Sequence, residues 1–140
     1  MTDIENYLND GADWQARCVL AYIYGNYATF LDTHLMKPKI KVGRFENCRE
    51  QGYVFTLYDG KTDKQLMHYA VYEHRNSDSL CVLKQKIFTI DTPSAADMFG
   101  GRGKYDYDKS FGCGSISDCG DWILRDMWHV MDEYIKQESA

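Results

Sequence analysis

Three runs of β-branched and aromatic residues, each closed by a turn-forming group, decide most of what this chain can become. They are residues 53–58 (YVFTLY), 66–75 (LMHYAVYEHR) and 80–90 (LCVLKQKIFTI), and no proline interrupts any of them. Runs of this composition suit the pleated, half-buried surface of a sheet. Asp59-Gly60 follows the first run, and Asn76-Ser77-Asp78-Ser79 separates the second from the third. Gly, Asn and Asp tolerate the positive φ angles of tight reversals, so the pattern predicts an antiparallel meander.

A fourth strand is predicted over 39–46, where Ile40 and Val42 alternate with Lys39 and Lys41. Period-two alternation marks a half-buried strand, and lysines on its wet side suit an exposed sheet edge. Helical periodicity flanks the sheet on both sides. Trp14, Cys18, Val19, Tyr22, Ile23, Tyr27, Phe30 and Leu31 recur at steps of three and four, which predicts a helix over 13–35 with Asp13 as its N-cap. Gly25 within it invites a bend or the close approach of another backbone. Pro38 stops it, because proline disfavours the α conformation at Lys37. A second long helix is predicted over 118–136, with Trp122, Ile123, Met127, Val130, Met131, Tyr134 and Ile135 on one stripe. Thr2 with Glu5 forms a capping-box pattern for a short helix near the start, and Thr92-Pro93 opens another before Gly100-Gly101. The expected architecture is a single α+β domain over residues 1–140. It is a three- to four-stranded antiparallel meander (39–46, 53–58, 66–75, 80–90) packed by the 13–35 and 118–136 helices.

Charge is unevenly spread. The first 36 residues hold five acids against Arg17 alone, residues 37–64 hold seven bases against four acids, and residues 91–140 hold ten acids against five bases. A net charge of −5 disfavours non-specific contact with nucleic acid or an anionic membrane, so direct nucleic-acid binding and membrane association are not expected. Eleven Tyr, six Phe and three Trp exceed what a core of this size needs, which points to Tyr on a binding face. The five cysteines are odd in number, and the start Met1-Thr2-Asp3-Ile4-Glu5 lacks the pattern of a signal peptide. Free thiols in a reducing cytoplasm, of a bacterium or of a host cell if phage-encoded, are the expectation.

Chemistry-bearing groups are sparse. The Gly/Tyr-rich segment 100–117 is expected to be a long loop, and its Arg102, Lys104, Tyr105, Asp106, Tyr107, Asp108 and Phe111 are candidate contacts for a partner or a nucleotide-like ligand. It lacks the Gly-Lys-Ser/Thr ending of a phosphate-binding loop, and Asp118 and Asp121 would repel phosphate at the following helix. Glu73, His74 and Arg75 stand together at a strand end, the residue types of general acid–base work, although solvation or pairing is the commoner fate of such a group. Cys113 and Cys119 have no second pair to complete a zinc site, so no metal and no cofactor are expected. Cys18 and Cys81 read as packed core thiols.

These features favour a small acidic cytosolic binding or inhibitor protein without catalytic activity, acting by occluding a protein partner. Immunity proteins and the anti-defence proteins of phages and mobile elements are of this general type. Carboxylates at 106, 108, 118, 121 and 126 would let such a protein mimic nucleic acid. A nucleotide-like small-ligand sensor or sponge built on the 100–117 loop is the first alternative, and an enzyme centred on Glu73, His74 and Arg75 the second. Pairing of the 39–46 edge between two copies would give a homodimer.

Overall fold

A computed structural model describes Tyr7 and residues 14–30, 37–77, 79–88 and 107–138, with the backbone alone for 27–30, 45–46 and 107–108. The described chain runs α1 (Gln15–Phe30), β1 (Lys39–Glu46), β2 (Glu50–Tyr58), β3 (Gln65–His74), β4 (Leu80–Lys86), β5 (Tyr107–Phe111) and α2 (Ile116–Glu138). The strands form one antiparallel sheet in the order β1-β2-β3-β4-β5, so each strand pairs with its neighbour in sequence. The meander and its two helices are therefore as expected, an α+β fold. Two features differ. The sheet has a fifth strand, and it lies inside the segment expected to be a loop. The first helix, as described, is shorter than 13–35.

Each difference has a physical reason. Tyr107–Phe111 is short and largely polar in sequence, so its pattern is weak, and pairing with β4 through Leu80↔Phe111 to Lys84↔Tyr107 defines it. The regular strand of the third run ends at Lys86, and Ile87 and Phe88 instead donate their amides to the Leu66 carbonyl at 2.8 and 3.2 Å. The short helices expected near residues 2–9 and 93–99 lie outside the described elements.

Both helices lie on the same face of the sheet. Tyr53, Phe55, Leu57, Met67, Tyr69, Val71, Leu80 and Val82 point to that side and are buried against Val19, Leu20 and Ile23 of α1 and Ile123, Met127 and Met131 of α2. Burying each large apolar side chain this fully is worth about 1.5–3 kcal/mol, so this layer supplies most of the fold's driving force. The buried stripe of α1 is Ala16, Val19, Leu20 and Ile23, rotated from the expected one, and Cys18 is exposed rather than packed. Tyr53 explains the rotation. Trp14 and Tyr7 lean on its ring at centroid distances of 6.2 and 5.9 Å, which turns the first helical turn toward β2.

The close helix–helix contact is made by Gly120, not Gly25. A Cβ on Gly120 would run into the Tyr22 ring, whereas one on Gly25 would meet open space. Tyr22 then donates its hydroxyl to Asp121 Oδ1 at 2.5 Å, tying α1 to the start of α2.

Candidate functional site

Glu73 is the buried carboxylate of the predicted strand-end triad, with only 4% of its surface exposed. It lies on the helix side of β3, and its oxygens accept from the backbone amides of Gln15 at 2.6 Å and Ala16 at 3.3 Å and from Gln51 Nε2 at 2.9 Å. Those amides belong to the first turn of α1, whose N–H groups have no partner within the helix. Glu73 is thus a cap supplied from across the sheet, with its negative charge at the positive end of the helix dipole. His74 points to the opposite face, where its ring meets Tyr72 edge-on at 5.7 Å. Arg75 is exposed and donates Nε to the Asn47 carbonyl at 3.0 Å. Alternation along the strand puts His74 on the face opposite Glu73, while Arg75, just past the end of β3, is turned to Asn47.

The carboxylates of α2 are similarly committed. Asp126 accepts from Lys84 Nζ and from Tyr69 Oη, both at 2.7 Å. Burial, with the Asp126 charge beside it, holds the Tyr69 hydroxyl well above its ordinary pKa. Glu133 pairs with Lys86, with Oε2 at 2.8 Å. Asp121 and Asp126 are turned to Tyr22 and Lys84, so they do not stand out in the array that nucleic-acid mimicry requires. Asp59 accepts from Tyr134 Oη at 3.1 Å and from the Lys61 amide at 2.8 Å, which fixes the β2–β3 turn against the end of α2. Burial opposes the Asp59 charge, but the hydrogen bonds from Lys61, Tyr134 and Thr62 outweigh it and hold its pKa below the usual value.

Arg102, Lys104, Tyr105 and Asp106 lie outside the described residues, and for Tyr107 and Asp108 only the strand backbone is described. Phe111 is half-buried and packs edge-on against Trp122 at 6.2 Å, with Lys109 Nζ 5.3 Å from its ring centre. The second glycine group does not present a free cradle, because the Gly114 amide donates to Gln15 Oε1 at 2.7 Å. Gly114 has φ 81°, the left-handed conformation that sets up the start of α2. The Ser115 carbonyl accepts the first amide bond of α2, from Cys119 at 3.1 Å, so the helix begins slightly before the expected 118. The Cys119 thiol is buried and pushed up to about 12, mainly by desolvation, which leaves it a poor nucleophile and a poor metal ligand. Cys113 is exposed, and all five thiols are free. Among the described residues no three His, Cys, Asp or Glu side chains gather closely enough to hold a metal ion.

What the sheet does present is an edge. Among the described strands β1 pairs only with β2, in an unbroken register from Lys39↔Tyr58 to Glu46↔Gln51. Its outer row of backbone groups is regular over eight residues, with no bulge and no proline within it. The side chains bordering this row are basic on both faces. On one face Lys39 forms a surface pair with Asp63 at 3.0 Å, and Lys41 Nζ sits 5.0 Å from the Tyr58 ring centre. On the other, Arg44 covers the Trp14 ring at 4.7 Å. Lys37 precedes the strand with φ 52°, held there by the close approach of Gly60 to its carbonyl.

The sheet face away from the helices carries a second feature. The strand registers align Lys41, Thr56, His68 and Gln85 in one row across β1 to β4. No described helix lies on this side. His68 and Gln85 are nonetheless only 6% and 2% exposed, and Gln85 Oε1 is a buried acceptor without a hydrogen-bond partner. Burial also lowers the His68 pKa, so the imidazole stays neutral at pH 7. Sequence reasoning passed over Gln85, since a lone Gln in an alternating strand is an ordinary surface residue until the register shows its neighbours.

No protein-family model matches the chain, and neither a curated protein nor a solved structure matches it. No helix of the described residues is long and apolar enough to cross a membrane.

Proposed function

We propose that this chain is a non-catalytic binding protein that occludes a protein partner, taking an extended acidic segment of that partner along β1 as a sixth strand. The observation that carries this reading is the basic, unbulged edge of Lys39–Glu46, bordered by Lys39, Lys41 and Arg44. An edge that no described strand covers offers main-chain hydrogen bonds to an extended segment, and the flanking side chains choose which one. Here cations on both faces repel a second copy of the same edge and favour Asp or Glu at alternate positions of the incoming strand. An inhibitor of the immunity-protein or anti-defence type would work this way, by covering the partner's surface.

Support for the enzyme reading is weaker. Its carboxylate, Glu73, is already bonded to two helix amides and Gln51, and His74 faces the other side of the sheet.

The test is capture from a lysate of cells that express the protein, with the unmodified chain and a Lys39→Glu/Lys41→Glu variant compared side by side. The unmodified chain should retain one stoichiometric protein that elutes as salt is raised, because exposed charges are screened. The variant should retain none of it while keeping its melting temperature. Equal retention by both, or retention of nothing, contradicts the proposal. Light scattering checks the competing occupant: a monomer at high concentration is expected, and a dimer that the charge reversal abolishes would assign the edge to a second copy.

A further inference from the structure

We propose that the strand taken up along β1 carries an aromatic side chain opposite Gly43 and a carboxylate two residues later, opposite Lys41. This rests on the reading of β1 as a partner edge and names the chemistry that the edge selects. The first observation is a glycine that the fold itself does not require. Glycine weakens a strand, and inside one it marks a bulge, a left-handed backbone or the close approach of another group. None of these holds at Gly43. The register runs through Gly43↔Val54 without a shift. Among the described glycines the positive φ belongs to Gly114. A Cβ on Gly43 would meet nothing within 4 Å, whereas one on Gly52 of β2 would run into the Val71 carbonyl. Gly43 is exposed, so the space above it is open from outside.

The second observation is the hydrogen-bond phase of the edge. The Asn47 amide donates to the Glu50 carbonyl at 2.8 Å, which makes 47 and 50 a hydrogen-bonded pair at the β1–β2 turn. Bonded and non-bonded pairs alternate along an antiparallel ladder. Counted back by twos, Phe45, Gly43, Lys41 and Lys39 turn their backbone groups toward β2, while Arg44, Val42 and Ile40 turn theirs outward. A strand added antiparallel to β1 bonds through those three. Its residues opposite Gly43 and Lys41 then fall in non-bonded pairs, where Cα atoms are only about 4.5 Å apart and side chains meet most closely. An aromatic ring opposite a glycine folds across it, a device that offsets glycine at sheet edges. Beyond Gly43 the ring reaches Val54, half-buried on the same face and one strand spacing of about 4.8 Å further in. The next same-face position of the incoming strand lies opposite Lys41, an exposed cation that pairs with Asp or Glu. Chain direction fixes the order as aromatic, any residue, acid.

Selection of random nonapeptides displayed on phage against the immobilised chain tests this, with synthetic copies of the enriched peptides titrated by fluorescence anisotropy. The enriched peptides should share an aromatic residue with Asp or Glu two positions on. Replacing either by Thr should weaken binding about fivefold or more. Gly43→Val should weaken the same peptides by about as much, with an unchanged or higher melting temperature for the free protein. Lys41→Glu should reject the acidic peptide and accept one with Lys in place of the acid. The proposal is overturned if no peptide is enriched, if the enriched peptides lack the aromatic, or if Gly43→Val binds them as the unmodified chain does. Lysate capture kept by Gly43→Val but lost by Lys39→Glu/Lys41→Glu leaves the edge reading standing and removes only the aromatic contact.

Discussion

Glu73 shows how a residue's chemistry is reassigned by its surroundings. In sequence it stands beside His74 and Arg75 and looks like part of an acid–base group, whereas in the fold it closes the open end of α1. Nothing in the order of residues reveals that, because the amides it bonds are 57 and 58 positions away. Glu73→Ala should cost about 2–3 kcal/mol in urea denaturation, the scale of a charged cap whose buried partners are left unpaired. Two titrations follow from the same kind of reasoning. The folded pKa of His68 lies below its unfolded 6.5, so the unfolded chain takes up the proton first. Stability is full above that pH and falls as pH drops from about 6.5 toward the folded pKa, and His68→Asn should flatten the profile in that window. Asp59 has a folded pKa below 3.8, so its contribution is present above 3.8 and lost as pH falls through the lower, folded value. Tyr134→Phe removes one of the bonds that depress it, and should lower stability by about 1 kcal/mol at pH 7 and move the acid midpoint upward.

Elements were legible in proportion to how much of their pattern is local. The first four strands and α2 carry strong periodicities and turn signals, and they stand where the residues indicate. β5 does not, because Tyr-Asp-Lys-Ser-Phe becomes a strand only by lying against β4. The face of α1 differs for the same reason: Val19 and Ile23 are buried as the periodicity indicates, but Ala16 and Leu20 share that stripe while Trp14 and Tyr22 sit at its margin against Tyr53 and Gly120. Gly120 is a contact no pattern announces. Gly120→Ala should push Tyr22 off the helix pair and cost about 1–3 kcal/mol, as overpacking does, whereas Gly25→Ala meets open space and should be neutral or stabilising by thermal melt.

At the level of the whole molecule, charge is layered. The acids of α2 are met by Lys84 and Lys86 reaching up from β4, while the cations of β1 gather at the far edge of the sheet. The segregation was visible in sequence as a basic middle between acidic ends, and self-pairing was its simplest explanation. Pairing with α2 draws on β4, and on β1 Lys39 meets Asp63 in a surface pair. The direct measurement is amide hydrogen exchange across Lys39–Glu46, taken with the protein alone and with its captured partner. Slowed exchange along the outward amides of β1, with β5 unchanged, is the result expected if a partner strand docks there. Unchanged β1 amides in a complex that has formed would contradict it.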